Sequence, residues 1–200
     1  TTYAAALTAL ALEDRVVVMP GVETTGQILF YEPPGAEIPK VIGHYNFWPL
    51  RADALLARNG APNDERLEPG ALFDRIAPLY AGAGVAQLNH PFADSVFGRD
   101  EGYLSAVGYD PRVPVPAVAD DTPAGQLARR SAAGTGNLDH DVQEVMNGSS
   151  TKGHRNYRAG WFSFLRQGII KGGTANSDTH TRAIEVLGYP RTLVLGGHSL

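Results

Sequence analysis

The sequence predicts an α/β fold with a mostly parallel sheet, and three observations predict it. Helix-forming stretches alternate with short apolar runs of buried-strand type. Several of those runs deliver a metal- or proton-competent side chain at their far end: Glu23, His44, His90 and the Asp178-x-His180 pair. In α/β folds, functional groups collect at the carboxyl ends of the strands. The chain also has the material for one sizeable core, with 200 residues of which 43% are hydrophobic and 19% charged.

The elements follow in order. Residues 3–13 hold strong helix formers with no breaker and read as a helix. Val16-Val17-Val18-Met19 is the first short apolar run, broken by Pro20-Gly21, with Val22-Glu23 at its end. Val41-Ile42-Gly43 is a second run and ends in His44. Residues 71–80 predict a helix with an apolar face, cut short by Pro78. Val85-Ala86-Gln87-Leu88 is the next strand and ends in Asn89-His90-Pro91. Residues 142–146 alternate and stop at the turn signal Asn147-Gly148. A helix is expected over 160–167, with Gly168 at the position past its end where a left-handed residue is wanted. Strands over 169–174 and 191–196 complete the series, the former ending in Asn176-Ser177-Asp178-Thr179-His180. Residues 92–139 are rich in Gly and Pro and lack sustained periodicity, so they read as a loop-rich insertion or lid. The chain starts at Thr1 and stops just after an apolar run, and we expect a single domain over 1–200 truncated at both ends.

Composition removes several classes of function. With 17 Lys+Arg against 21 Asp+Glu the net charge is −4, which argues against a broad nucleic-acid footprint. No stretch approaches the roughly 20 apolar residues of a membrane span, so the expectation is a soluble protein, cytoplasmic by default with export left open. Zero cysteine excludes disulfides, thiolate metal sites and cysteine nucleophiles. Ser177 beside Asp178 and His180 lacks a G-x-S-x-G elbow, and the Gly82–Gly84 and Gly134–Gly136 stretches fit no phosphate-binding fingerprint.

What remains is a candidate metal set. Glu23, His44, His90, Asp178 and His180 are carboxylates and imidazoles, the donors that Zn, Mn or Fe accept in the absence of thiolate. They are far apart in sequence, so only a shared rim of strand ends could gather them. Each also has an ordinary role open to it: Glu23 as a turn residue, His90 as a surface histidine, Asp178 as the start of an Asx-turn. His140 and His154 are expected in solvated loops, and nothing is assigned to His198. Tyr45, Phe47, Trp48 and Tyr103 could line an apolar pocket or belong to the core, the core being favoured for Phe47 and Trp48.

The segments MPGVETT (19–25), GHYNFWPL (43–50), VAQLNHP (85–91), VQEVMNG (142–148) and TANSDTH (174–180), in this order, resemble the polymerase-and-histidinol-phosphatase (PHP) superfamily of metallohydrolases. The nearer likeness is to its CehA/McbA branch, named for bacterial carbaryl hydrolases, and it runs from about residue 12 to 195. The resemblance implies a partial, distorted (β/α)7 barrel with two or three divalent metal ions at its C-terminal rim. It implies Glu23 as a bridging carboxylate, His44, His90, Asp178 and His180 as further ligands, and Asp178 as the group that takes a proton from the nucleophilic water. Asn46, Asn89, Asn147 and Asn176 would orient ligands from beside them. One departure stands out: the family opens with a His-x-His pair and carries a later Asp-His, and no histidine here lies upstream of Glu23.

The activity so implied is metal-dependent hydrolysis of an ester-like bond in a small molecule, either a phosphoester or a carbamate or carboxylic ester. Lys152, Arg155, Arg158 and Arg182 are available for an anionic substrate, and Tyr45, Trp48 and Tyr103 for an aromatic one. The rival reading is a non-catalytic accessory domain of a larger protein with an incomplete metal site.

Overall fold

The computed structural model describes residues 2–26, 43–53, 55–62, 67–92, 102–122, 124–149, 151–181 and 186–195. Val41, Ile42, Arg182 and His198, singled out above, lie outside them. In chain order the elements are α1 (Thr2–Ala9), β1 (Val22–Gly26), β2 (Gly43–Leu50), α2 (Pro69–Ile76), β3 (Tyr80–Leu88), α3 (Tyr103–Ala106), β4 (Val142–Asn147), α4 (Thr151–Arg166) and β5 (Gly172–Asn176). Short 3-10 turns cover Ala57–Gly60, Ala77–Leu79 and Ala124–Ala128.

The chain is mixed α/β, and its strands form one five-stranded open sheet in the order β1-β2-β3-β4-β5. The expected mostly parallel sheet is corrected: β1–β2 and β2–β3 pair antiparallel, while β3–β4 and β4–β5 pair parallel. This reversal decides which ends of the strands meet. The start of β2 lies at the same edge of the sheet as the carboxyl ends of the other four.

Alternation then divides the two faces. Thr24, Tyr45, Phe47, Ala86 and Leu88 share one face through the pairs Thr24↔Tyr45, Phe47↔Ala86 and Tyr45↔Leu88. That face carries the core, against Leu72, Phe73 and Ile76 of α2, with Tyr103 and Leu104 of α3 and Phe164 of α4 in the same cluster. Pro69 opens α2 at its first turn, where its missing N–H costs no helical bond. Glu23, Asn46 and Gln87 share the other face, and it is polar.

Several boundaries differ from expectation. Val16–Met19 are not a strand; Val17 is 62% exposed, and the pairing residues begin at Val22. An apolar run becomes a strand only where a neighbour supplies its hydrogen bonds; β2 donates from Leu50 N–H to the Pro20 carbonyl, and ladder pairing starts at Val22. The strand expected at 169–174 is β5, shifted to Gly172–Asn176, and residues 191–195 have no regular structure. The helix at 160–167 is the last part of the longer α4, with Gly168 at φ +76° as the cap required. Within the described part of 92–139 the chain is loop-rich, yet it sends Tyr103, Leu104, Val107, Tyr109, Leu127 and Leu138 into the core. Tyr109 and Ser163 of α4 hydrogen-bond through their hydroxyls at 2.8 Å, and Val115 N–H donates to Gln167 Oε1 at 2.7 Å. No helix among the described residues is long and apolar enough to cross a membrane.

Candidate metal centre

Three of the expected ligands converge on the polar face. Glu23 is the second residue of β1 rather than the end of a strand, and His44 is the second residue of β2. Both placements correct the expectation of strand carboxyl ends, and the antiparallel β1–β2 pairing is the physical reason they meet. Thr25 sits opposite His44 and Glu23 opposite Asn46, so Glu23 and His44 are diagonal neighbours on one face. Gly43, at φ +91°, lets the backbone pass where a Cβ would lie 2.6 Å from Cβ of Tyr103. His90 follows β3 by two residues, turned by a backbone at φ +25°.

One donor atom each from Glu23, His44 and His90 lies within 4.8 Å of the others. His44 Nδ1 stands 3.5 Å from Glu23 Oε1, and the two imidazole centroids are 4.7 Å apart at an interplanar angle of 73°. His44 and His90 are buried, yet His44 Nε2 and His90 Nδ1 have no hydrogen-bond partner among the described residues. Buried nitrogens without partners are costly, and a metal ion is one way of satisfying them. Burial, helped by the neighbouring His44 and opposed by Asp178 and Glu23, pushes the His90 imidazole down to about 4. It is therefore neutral at pH 7, the form that ligates. Burial alone would raise the Glu23 carboxyl, but hydrogen bonds from His44 and Asn89 and the two imidazoles leave it below its ordinary value. The donor set of one carboxylate and two imidazoles fits a divalent ion.

Around these three runs a relay of amides. Gln87 Nε2 donates to Asn89 Oδ1 at 2.8 Å, and Asn89 Nδ2 donates to Glu23 Oε1 at 2.9 Å. Asn147 Nδ2 donates to Asp178 Oδ2 at 3.2 Å, and Asn176 Nδ2 to Glu144 Oε1 at 2.7 Å. Three of the four expected carboxamides, Asn89, Asn147 and Asn176, thus hold carboxylates; Asn46 holds none among the described residues.

Glu144 was missed. It is 2% exposed, faces the cavity from β4, and accepts the His90 N–H together with the Asn147 and Asn176 side chains. Burial, with a smaller push from Asp178, outweighs those hydrogen bonds and raises its carboxyl to about 7. A signal was present: in VQEVM an acidic residue takes the alternation face of Val142 and Met146, where a charge needs partners.

The remaining candidates are placed as follows. Asp178, at φ +47° two residues past β5, lines a cavity of about 430 Å³ together with Glu23, His90 and Glu144. His180 lies outside that lining, its side chain 73% exposed and its Nε2 3.7 Å from Asp178 Oδ1. Tyr45 and Tyr103 are buried in the core and form no aromatic pocket at the cluster; Trp48 is half-buried beside a groove that includes Met19 and shares Glu23 and Asn46 with the cavity. Two histidines are corrected: His140 is buried rather than solvated, and His154 rides on α4 with Nδ1 2.9 Å from the Val145 carbonyl oxygen. Both were expected in loops because flanking charge hid their contacts with β4 and the segments beside it.

The chain matches no protein-family model, no curated protein and no solved structure in the comparisons made.

Proposed function

We propose that the protein is a metal-dependent hydrolase of an ester-like bond, of the PHP type. The observation that carries this reading is the Glu23–His44–His90 cluster, in which two buried imidazole nitrogens have no partner among the described residues and Glu23 and His90 line a polar cavity. The fold this reading implies is the distorted β/α barrel; the parallel strands β3, β4 and β5 are compatible with it, while the antiparallel β1–β2 and β2–β3 pairs depart from its pattern. Support comes from the single rim on which β1, β3, β4 and β5 end and β2 begins, and from the order of the five motifs.

Glu23, His44 and His90 would hold one divalent ion, and Asp178, with the exposed His180 beside it, would extend the set from the end of β5. A divalent ion there supplies a Lewis acid and a nucleophile from water near neutral pH. Asp178 accepts the proton of the attacking water at Oδ1, while Asn147 fixes Oδ2. Glu144 holds the His90 backbone, and Asn89 holds Glu23, so that neither ligand must be ordered on binding.

Elemental analysis of the chain purified without chelator tests the centre. We expect at least about one equivalent of zinc, manganese or iron, lost in His90→Ala and reduced in Glu23→Gln. A metal-free protein that stays metal-free on titration with these ions would refute the reading. For catalysis, Asp178→Asn should retain metal and lose turnover of p-nitrophenyl phosphate or 1-naphthyl esters by about a hundredfold or more. Intact turnover in that variant removes Asp178 from the proposed role.

A further inference from the structure

The cavity beside the cluster has one basic side chain in its described wall, Arg191. Three carboxylates share that wall, Glu23, Glu144 and Asp178, yet Arg191 makes no ion pair with any described residue. The carboxylates are held by neutral amides instead, from Asn89, Asn147 and Asn176. A guanidinium that neutralised them would be bonded to one. Among the described residues nothing takes up the Arg191 donors, and Arg191 lines the space a substrate would enter.

Its backbone is nevertheless fixed. Thr192 Oγ1 accepts the Ala175 N–H at 2.8 Å and donates to the Ala175 carbonyl at 3.2 Å, standing in for a strand partner of β5. Gly188 N–H donates to Ser177 Oγ at 3.3 Å, and Pro190 between them is buried. The segment is thus pinned to the carboxyl end of β5 on both sides of Arg191, whose own side chain stays exposed. Lys152, Arg155 and Arg158, the cations noted in the sequence, ride on α4, and none lines this cavity.

We propose that Arg191 determines specificity by binding the phosphoryl group of a phosphomonoester, an inference that rests on the metal-hydrolase reading. A planar guanidinium presents two parallel N–H donors to two phosphoryl oxygens. A dianion entering a wall with three carboxylates needs such a cation, whereas a carbamate or carboxylic ester is neutral at its reacting group and does not. Asn46, also in the wall and without a side-chain hydrogen bond to a described residue, supplies a further amide donor.

The test is calorimetric titration of inorganic phosphate into the full chain carrying stoichiometric metal, with metal content measured on the same samples. Arg191→Ala should weaken phosphate binding by about tenfold or more with metal content unchanged. Arg191→Lys, which keeps the charge and loses the fork, should fall between the two, and Arg158→Ala should match the wild type. Added salt should weaken wild-type binding more than that of Arg191→Ala. Wild-type affinity in Arg191→Ala overturns the inference, as does a metal-loaded protein that takes up no phosphate at millimolar concentration. A protein that holds no metal overturns the metal-centre reading and carries this inference down with it, and the metal content tells the two failures apart.

Discussion

Two buried histidines show how surroundings set the role of one residue type. His90 has a carboxylate, a second imidazole and a cavity beside it, and its unpartnered nitrogen points to a ligand. His140 is 1% exposed, with Lys171 Nζ donating to its own carbonyl oxygen at 2.5 Å. Burial, and then the Lys171 charge, push the His140 imidazole well below its ordinary value, so it is neutral in the folded chain. The unfolded chain protonates it near pH 6.5 and the folded chain resists, so folding stability falls as pH drops below that value. Against His140→Gln, the wild type should lose up to about 1.4 kcal/mol per pH unit on acidification from 6.5. Urea midpoints measured from pH 7.5 downward read this directly, and parallel curves for the two proteins would contradict it.

Among the elements, α4 shows what composition alone misjudges. Its glycine at 160 looks like a weak point, and Ala there would ordinarily stabilise a helix by about 1 kcal/mol. Here a Cβ at Gly160 would lie 2.4 Å from the Phe92 ring, inside a buried contact between α4 and the turn that carries His90. Gly160→Ala should therefore destabilise by about 1–3 kcal/mol, the cost of overpacking, as read by thermal or urea unfolding. Because Phe92 follows His90 by two residues, the same variant should weaken metal uptake; unchanged stability would mean the ring moves aside freely. The helices at 71–80 and 160–167 and the strands at 85–88 and 142–146 were legible because their periodicity or turn residues are local. Val16–Met19 and 191–196 were read as strands for the same local reasons, but neither has a described partner strand to complete its hydrogen bonds.

At the scale of the molecule, Glu144 is the tie across three strand ends. From β4 it accepts the backbone of His90 after β3, the side chain of Asn176 at the end of β5, and that of Asn147 on its own strand. Glu144→Gln keeps the shape but turns an amide toward these donors, so at least one of them loses its acceptor. We expect an unchanged far-UV spectrum and metal affinity lowered about 10–100-fold, measured by competition with a chelator. An unchanged metal affinity would show that His90 holds its position without this carboxylate.

The sequence by itself determined the chemistry available: no thiolate, carboxylates and imidazoles at the ends of apolar runs, and amides beside them. It also marked the left-handed turn at Gly168, which follows from the conformational freedom of one residue type. Only the tertiary structure decided strand direction, and with it the meeting of Glu23 and His44 across an antiparallel pair. Strand direction depends on which segments supply each other's hydrogen bonds, and that is a property of the whole sheet. For the same reason the part Arg191 plays became visible only in the fold, and the alternation signal at Glu144 took on meaning only with its partners. A buried carboxylate is defined by the donors around it, and the setting of Arg191 by the cavity wall it joins.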